Sequence, residues 1–283
     1  MKLKNSPLLE AWLKKLVRNS RDSVRNLQAS ALPESRIFVP DFLGIGAPRA
    51  ASTWLHTRLS SHPEVYLPHR KELHFFDQLD SQGKFKYDPG SIRDRRLYAT
   101  FFQGGKKLTK GEITPAYSCL PQERVEDIVR LMPGVKIIYI LRNPVERAWS
   151  GIRRRCWYGE GKKADEVSRD KLIEISKEES LLIRGDYRRN INVWEMALHP
   201  ANIHYMFYDD ISENGVAELE KLCRFLGVTT GFFSAQDRGD KVVNEAPVSR
   251  IPEEVFDHLM NYYRPDKAFL EQKFSRDLSA WYR

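Results

Sequence analysis

Three short stretches hold side chains whose types and spacing could move a charged group between molecules. The first, Gly46-Ala47-Pro48-Arg49-Ala50-Ala51-Ser52-Thr53-Trp54, joins an apolar strand end to a helix-like run. Small residues there let an anion approach the backbone, and a helix opening at Ser52 would offer it free N–H groups and a positive dipole end. Against the ATP-binding pattern G-x-x-x-x-G-K-[ST], Ala51 replaces the second glycine and Ser52 the lysine, so the cation has moved to Arg49. The second stretch, Arg142-Asn143-Pro144-Val145-Glu146-Arg147-Ala148-Trp149-Ser150, follows the strongest strand signal in the chain. Arg142 supplies a planar cationic fork and Ser150 a hydroxyl about two helical turns on, a pair suited to a phosphate monoester. An ATPase would place an acidic residue near that strand end to organise Mg²⁺. In the third, His69-Arg70-Lys71-Glu72-Leu73-His74-Phe75-Phe76-Asp77, Glu72 beside Lys71 and His74 is a candidate general base. A loop anchored by Phe75 and Phe76 with its charges in water accounts for the same residues.

The elements that must position these stretches are read from periodicity. Apolar runs predict strands at Phe42 to Ile45 and over 64–67, 108–113, 135–141 and from 203 to a turn at 208–210. Helical spacing is found from Ser52 to Leu59 and over 92–102, with Leu97, Tyr98, Phe101 and Phe102 inward. Further helices are predicted over 121–131, from Pro144, over 172–183, from Gly185 to Trp194, over 213–226, and over 247–263 and 265–281. Strands alternating with helices predict an α/β fold: a P-loop-like single domain, its mainly parallel sheet of about five strands flanked by helices, with a ligand across the carboxyl ends.

The chain of 283 residues can bury one large core without staples, and its three cysteines, Cys119, Cys156 and Cys223, suggest neither a disulfide framework nor a zinc site. A net charge of +8 favours acidic partners, and no nucleic-acid motif accompanies it. Residues 1–36 read as an amphipathic basic arm, either docking to a membrane surface or capping the core, with residues 37–283 as the domain. No apolar run approaches the roughly 20 residues that span a bilayer, so a cytoplasmic location is expected. Residues 151–200, rich in Arg153, Arg154, Arg155, Lys162 and Lys163, read as a helical lid that selects the acceptor.

Pro48 to Leu55 resembles the 5′-phosphosulfate loop, roughly P-[KR]-x-G-T-T-x-L, of sulfotransferases that use 3′-phosphoadenosine 5′-phosphosulfate (PAPS). Arg142 to Ser150 is similar to the 3′-phosphate segment R-[ND]-P-x-x-R-x-x-S of that family, and Lys71 to Asp77 resembles the K-E-x-H-F-F-D run of heparan sulfate O-sulfotransferases and many bacterial sulfotransferases. Glu112 to Tyr117 is similar to the family's G-E-K-S-P-x-Y, with Ile113 in place of the lysine, and Gly185 to Tyr187 to its G-x-Y segment. The resemblance covers residues 41 to at least 228. It implies transfer of a sulfuryl group from PAPS to an acceptor hydroxyl, leaving adenosine 3′,5′-bisphosphate (PAP), with no metal required. By the same resemblance Glu72 is the base, supported by His74, and Arg49 stabilises the leaving oxygen. Residues 46–54 with Arg142, Ser150 and Lys241 hold the nucleotide, while Lys71, Tyr117 and Tyr187 face an acceptor such as an acidic glycan or glycolipid. The rival readings are a nucleotide kinase-like phosphotransferase and a non-catalytic basic module that binds nucleotides or glycans.

Overall fold

The computed structural model describes residues 23–105, 107–234 and 247–283. Most of the predicted arm and the predicted nucleotide-closing loop with Lys241 lie outside the described residues. Within the arm, 23–30 is helical and a 3-10 turn covers Glu34–Arg36.

Five strands form one sheet in the order β2-β3-β1-β4-β5, and every pairing is parallel. They are β1 (Phe42–Gly46), β2 (Val65–Tyr66), β3 (Thr109–Ile113), β4 (Lys136–Leu141) and β5 (Ile203–Phe207). β1 is buried along its whole length and β4 from its second residue on, which is why both read as near-continuous apolar runs. Because β1 lies between β3 and β4, the chain leaves it toward one edge and later returns on its other side. The crevice at the carboxyl ends of β1 and β4 is therefore a topological switch point, the position where open α/β sheets take ligands.

Two helices start at that crevice, α1 (Ser52–Ser61) after β1 and α4 (Pro144–Arg155) after β4. Between them lie α2 (Ile92–Ala99) and α3 (Gln122–Leu131), the latter with Val125 and Ile128 buried. Asn143 caps α4, its Oδ1 accepting from the amides of Val145 and Glu146 at 3.0 and 3.2 Å, and Pro144 supplies the preset first turn. Beyond α4 come α5 (Arg169–Ser176), α6 (Glu179–Leu182), α7 (Tyr187–Ala197), α8 (Tyr208–Leu226), α9 (Glu253–Tyr263) and α10 (Lys267–Phe274).

Several predicted boundaries shift, each for a local reason. The helix expected over 172–183 is two, separated where Glu178 takes an extended conformation. The one expected over 213–226 begins at Tyr208 and breaks at Asn214, whose Oδ1 accepts from the Ala217 amide and starts the helix afresh. The helix over 92–102 stops at Ala99 and continues as a 3-10 turn, leaving Leu97 and Phe101 only half-buried while Tyr98 and Phe102 are buried. The last predicted helix ends at Phe274, where Ser275 is left-handed at φ 48°, and a 3-10 turn at Ser279–Tyr282 closes the chain. Among the described residues no helix is long and apolar enough to cross a membrane.

Candidate active site

The loop between β1 and α1 is bound to β4 before any side chain is considered, because the Ala47 amide donates to the Ile140 carbonyl at 2.8 Å. Gly46 is required by crowding: a Cβ there would sit 2.8 Å from Ser118 Oγ and 3.0 Å from the Pro115 carbonyl. Arg49 and Ala51 have φ of 71° and 63°, a region that disfavours residues with a Cβ. That conformation turns the chain sharply into α1, whose first turn has no side-chain cap. Its leading amides thus face the crevice, as a helix end that binds anions requires. The Ala50 amide is an exception, since it donates to the Ala47 carbonyl within the loop.

Tertiary structure joins the first two stretches directly. Arg49 Nε donates to Ser150 Oγ at 3.0 Å, and Arg142 Nη1 donates to the Arg49 carbonyl at 3.0 Å. Ser150 is only 3% exposed, so the hydroxyl is a fixed part of the crevice. The Arg142 fork also pairs with Glu146 at 3.1 Å and lies 4.4 Å from the centre of the Tyr208 ring. Its Nε and the Trp54 indole Nε1 are buried without a partner among the described residues. Burial first, and then Arg154, Arg142 and Arg153, push the Arg49 pKa down, a sign of concentrated positive charge.

The third stretch arrives from the loop after β2. Lys71 Nζ lies 3.0 Å from Thr53 Oγ1, 3.5 Å from Ser52 Oγ and 3.0 Å from Glu72 Oε1. Lys71, expected to face the acceptor, lines the cavity and lies beside the start of α1, close to the position where the ATP-binding pattern has its lysine. Glu72 and His74 both have positive φ, 59° and 54°, which brings their side chains to the same side. His74 Nδ1 is 2.8 Å from Asp77 Oδ2, and Nε2 is 3.6 Å from Glu72 Oε2. Asp77 and then Glu72 raise the His74 pKa to about 9, while His74 and then Lys71 lower that of Glu72 to about 2. Asp77, quoted in the sequence stretch without a role, is what fixes the imidazole; its spacing of three from His74 was the available signal.

Two of the predicted acceptor residues face elsewhere. Tyr117 is 0% exposed; its hydroxyl accepts from the Phe75 amide at 2.9 Å and donates to Glu112 Oε1 at 3.1 Å. Tyr187 is equally buried, its hydroxyl accepting from the Arg142 amide at 3.1 Å and donating to the Arg142 carbonyl at 2.8 Å. Both aromatic rings fill the core and hold site backbone from below. Sequence spacing does not distinguish a tyrosine under a site from one lining it.

A cavity of about 600 Å³ opens over these groups. Its lining includes Arg49, Ser52, Thr53, Lys71, Glu72 and His74 from the loops and helix start after β1 and β2, and Arg147, Arg154, Arg155, Tyr158, Ser180 and Arg184 from α4 and the segments that follow it. Arg147 is 1% exposed and bound to the Leu181 carbonyl at 2.8 Å, so it ties α4 to α6. Among the described residues no His, Cys, Asp and Glu cluster could hold a metal ion.

A parallel switch-point crevice with a cation-bearing loop after the central strand and an arginine at the end of its neighbour defines a class of anion-handling transferase. A family model for the sulfotransferase domain matches residues 39–250, and the chain belongs to the sulfotransferase family. A sulfotransferase from Alicyclobacillus acidocaldarius shares the fold at a TM-score of 0.68 and 24% identity, covering 87% of this chain and 100% of that one. The sulfotransferase domain of the Synechococcus PCC 7002 olefin synthase does so at 0.52 and 16% identity, covering 87% and 98%. The membrane-associated sulfotransferase kil1 of Dictyostelium discoideum is 28% identical over 116 residues, 40% of this chain and 22% of kil1.

The strained loop yields a first prediction. Ala51→Gly should raise stability by about 0.5 kcal/mol, the left-handed penalty relieved less the added flexibility of the unfolded chain; chemical denaturation reads it, and a loss would contradict the geometry. The second concerns His74. Its folded pKa lies above the ordinary 6.5, so the imidazolium contributes stability that is full below about pH 6.5 and lost as pH rises through about 9. In NMR titration His74 should therefore titrate near pH 9, Asp77→Asn should bring it down, and the stability gap between the two proteins should close above pH 9.

Proposed function

We propose that this chain transfers the sulfuryl group of PAPS to an acceptor hydroxyl and releases PAP. The observation that carries this reading is the contact of Arg49 with Ser150 and Arg142, which brings two anion-binding segments into one crevice. The residues fit the donor. The open first turn of α1, Arg49, Lys71, Ser52 and Thr53 would hold the phosphosulfate. Arg142 and Ser150 would hold the 3′-phosphate, and the buried Arg142 Nε and Trp54 Nε1, without a partner among the described residues, are donors such a ligand could satisfy.

The donor supplies an activated sulfuryl group; the chain supplies charge and orientation. Glu72 accepts the hydroxyl proton as the acceptor oxygen forms its bond to sulfur. The sulfur–oxygen bond to phosphate breaks, and its electron pair stays on the phosphate oxygen, facing Arg49, Lys71 and the α1 amides. Glu72 at a pKa of about 2 is a poor base, and Lys71 is part of the cause. Lys71 is shared between Glu72 and the hydroxyls of Ser52 and Thr53, so an anion at α1 draws its ammonium off Glu72 and raises the carboxylate's basicity. Donor binding and base activation are thereby coupled through one side chain.

Residues 151–200 form the acceptor side in this reading. Arg154 has the Tyr158 ring 4.6 Å away and, like Arg184, no carboxylate partner among the described residues. Two uncompensated guanidinium groups suit an acidic carbohydrate, glycolipid or other small acid. A reducing compartment such as the cytoplasm suits the three free cysteines.

Turnover with PAPS should fall about a hundredfold to a thousandfold in Arg49→Ala, with Arg49→Lys retaining more, and comparably in Glu72→Gln. Full turnover of Arg49→Ala and Glu72→Gln would remove the assignment. In calorimetry Arg142→Ala should weaken PAP about tenfold to a hundredfold, while Glu72→Gln, which releases Lys71 to the anion, should not weaken it. On the acceptor side, Arg154→Ala with Arg184→Ala should raise KM for an acidic acceptor and spare a neutral one.

A further inference from the structure

The loop that carries Glu72 and His74 rests on a buried carboxylate that the reaction does not use. Glu112, at the end of β3, is 2% exposed and receives only hydroxyl donors: Tyr98 and Tyr117 on Oε1, and Thr114 on Oε2 at 2.8 Å. No Lys, Arg or His among the described residues pairs with it, and burial raises its pKa to about 7. The Tyr117 hydroxyl is oriented by this contact so that its lone pair meets the Phe75 amide at 2.9 Å. The Tyr98 ring, held by the same oxygen, stacks on Phe75 with centroids 4.4 Å apart. Both tethers thus converge on the residue directly after His74. A backbone with φ of 59° at Glu72 and 54° at His74 persists only where surrounding structure over-determines it.

We infer that Glu112 is a positioning residue: by fixing the hydroxyl of Tyr117 it pins Phe75 and holds Glu72 and His74 in their strained, mutually facing arrangement. The inference rests on the proposed function for the loop's role in transfer, and its structural content is independent of the donor. A core carboxylate with several hydroxyl partners could equally serve packing alone, so the test separates the two. Thr114 also donates to Glu112 and neighbours Tyr117, but its side chain has no hydrogen bond to the loop among the described residues; it is the control.

The readouts are the NMR titration midpoint of His74, the exchange rate of the Phe75 amide, and calorimetric affinity for PAP. In Tyr117→Phe, the Phe75 amide should exchange at least tenfold faster and the His74 midpoint should move down from about 9 toward 6.5. Glu112→Gln, which keeps an acceptor oxygen for Tyr117, should give a smaller shift than Glu112→Ala, and Thr114→Val should shift neither readout. Unchanged His74 and Phe75 in Tyr117→Phe overturn the inference. Equal shifts in Thr114→Val and Tyr117→Phe also overturn it, because general loosening then explains both. Failure of the wild-type chain to bind PAP would sink the proposed donor and leave this positioning result to stand or fall by itself.

Discussion

The constraint on which the site depends is the confinement of like charges at one sheet end. Burial, and then the charges of Arg154, Arg142 and Arg153, depress the ionisation of Arg49. Such a cluster lowers stability unless something fixed and electron-rich holds each guanidinium. Here the fixed partners are mostly backbone and hydroxyl groups: the Arg49 carbonyl for Arg142, Ser150 for Arg49, the Leu181 carbonyl for Arg147. Neutral acceptors orient the forks and leave their charge available to an anion. Glu146 on Arg142 is more exposed than its partner, so that pair is well solvated.

Strain is distributed with the same economy. The four site residues with left-handed backbone, Arg49, Ala51, Glu72 and His74, all lie on the loops after β1 and β2, and Arg49, Glu72 and His74 border one cavity. Each costs about 1–2 kcal/mol by steric crowding of its Cβ. The cost is met by rigid supports beneath: the β4 carbonyl under Ala47, Tyr117 under Phe75, and Arg124 Nε on the Phe76 carbonyl at 2.9 Å. Tyr187 performs the corresponding service at Arg142. The site is therefore two layers deep, reactive groups above and buried aromatic hydroxyls below.

Much of this was legible in the chain itself. The five strands were readable because a parallel sheet covered on both faces leaves apolar runs bounded by glycine and proline. The positions of the loop before Ser52 and of Arg142 at a strand end were readable because an apolar strand followed by glycine or proline and a helix start marks where the strand stops. Helix ends in 172–183 and 213–226 were less so, since an extended Glu178 and a helix restarted by Asn214 depend on neighbours rather than on periodicity.

The sequence by itself determined the strands, the helices between them and the residue types of the segments after β1 and β4, because these follow from local apolar period and local charge. Only the tertiary structure decided that Arg49 meets Ser150, that Lys71 reaches Thr53, and that Tyr117 and Tyr187 lie beneath the site. Those outcomes depend on which strand ends become neighbours and on which face of a turn is buried, distances set by packing between segments far apart in the chain.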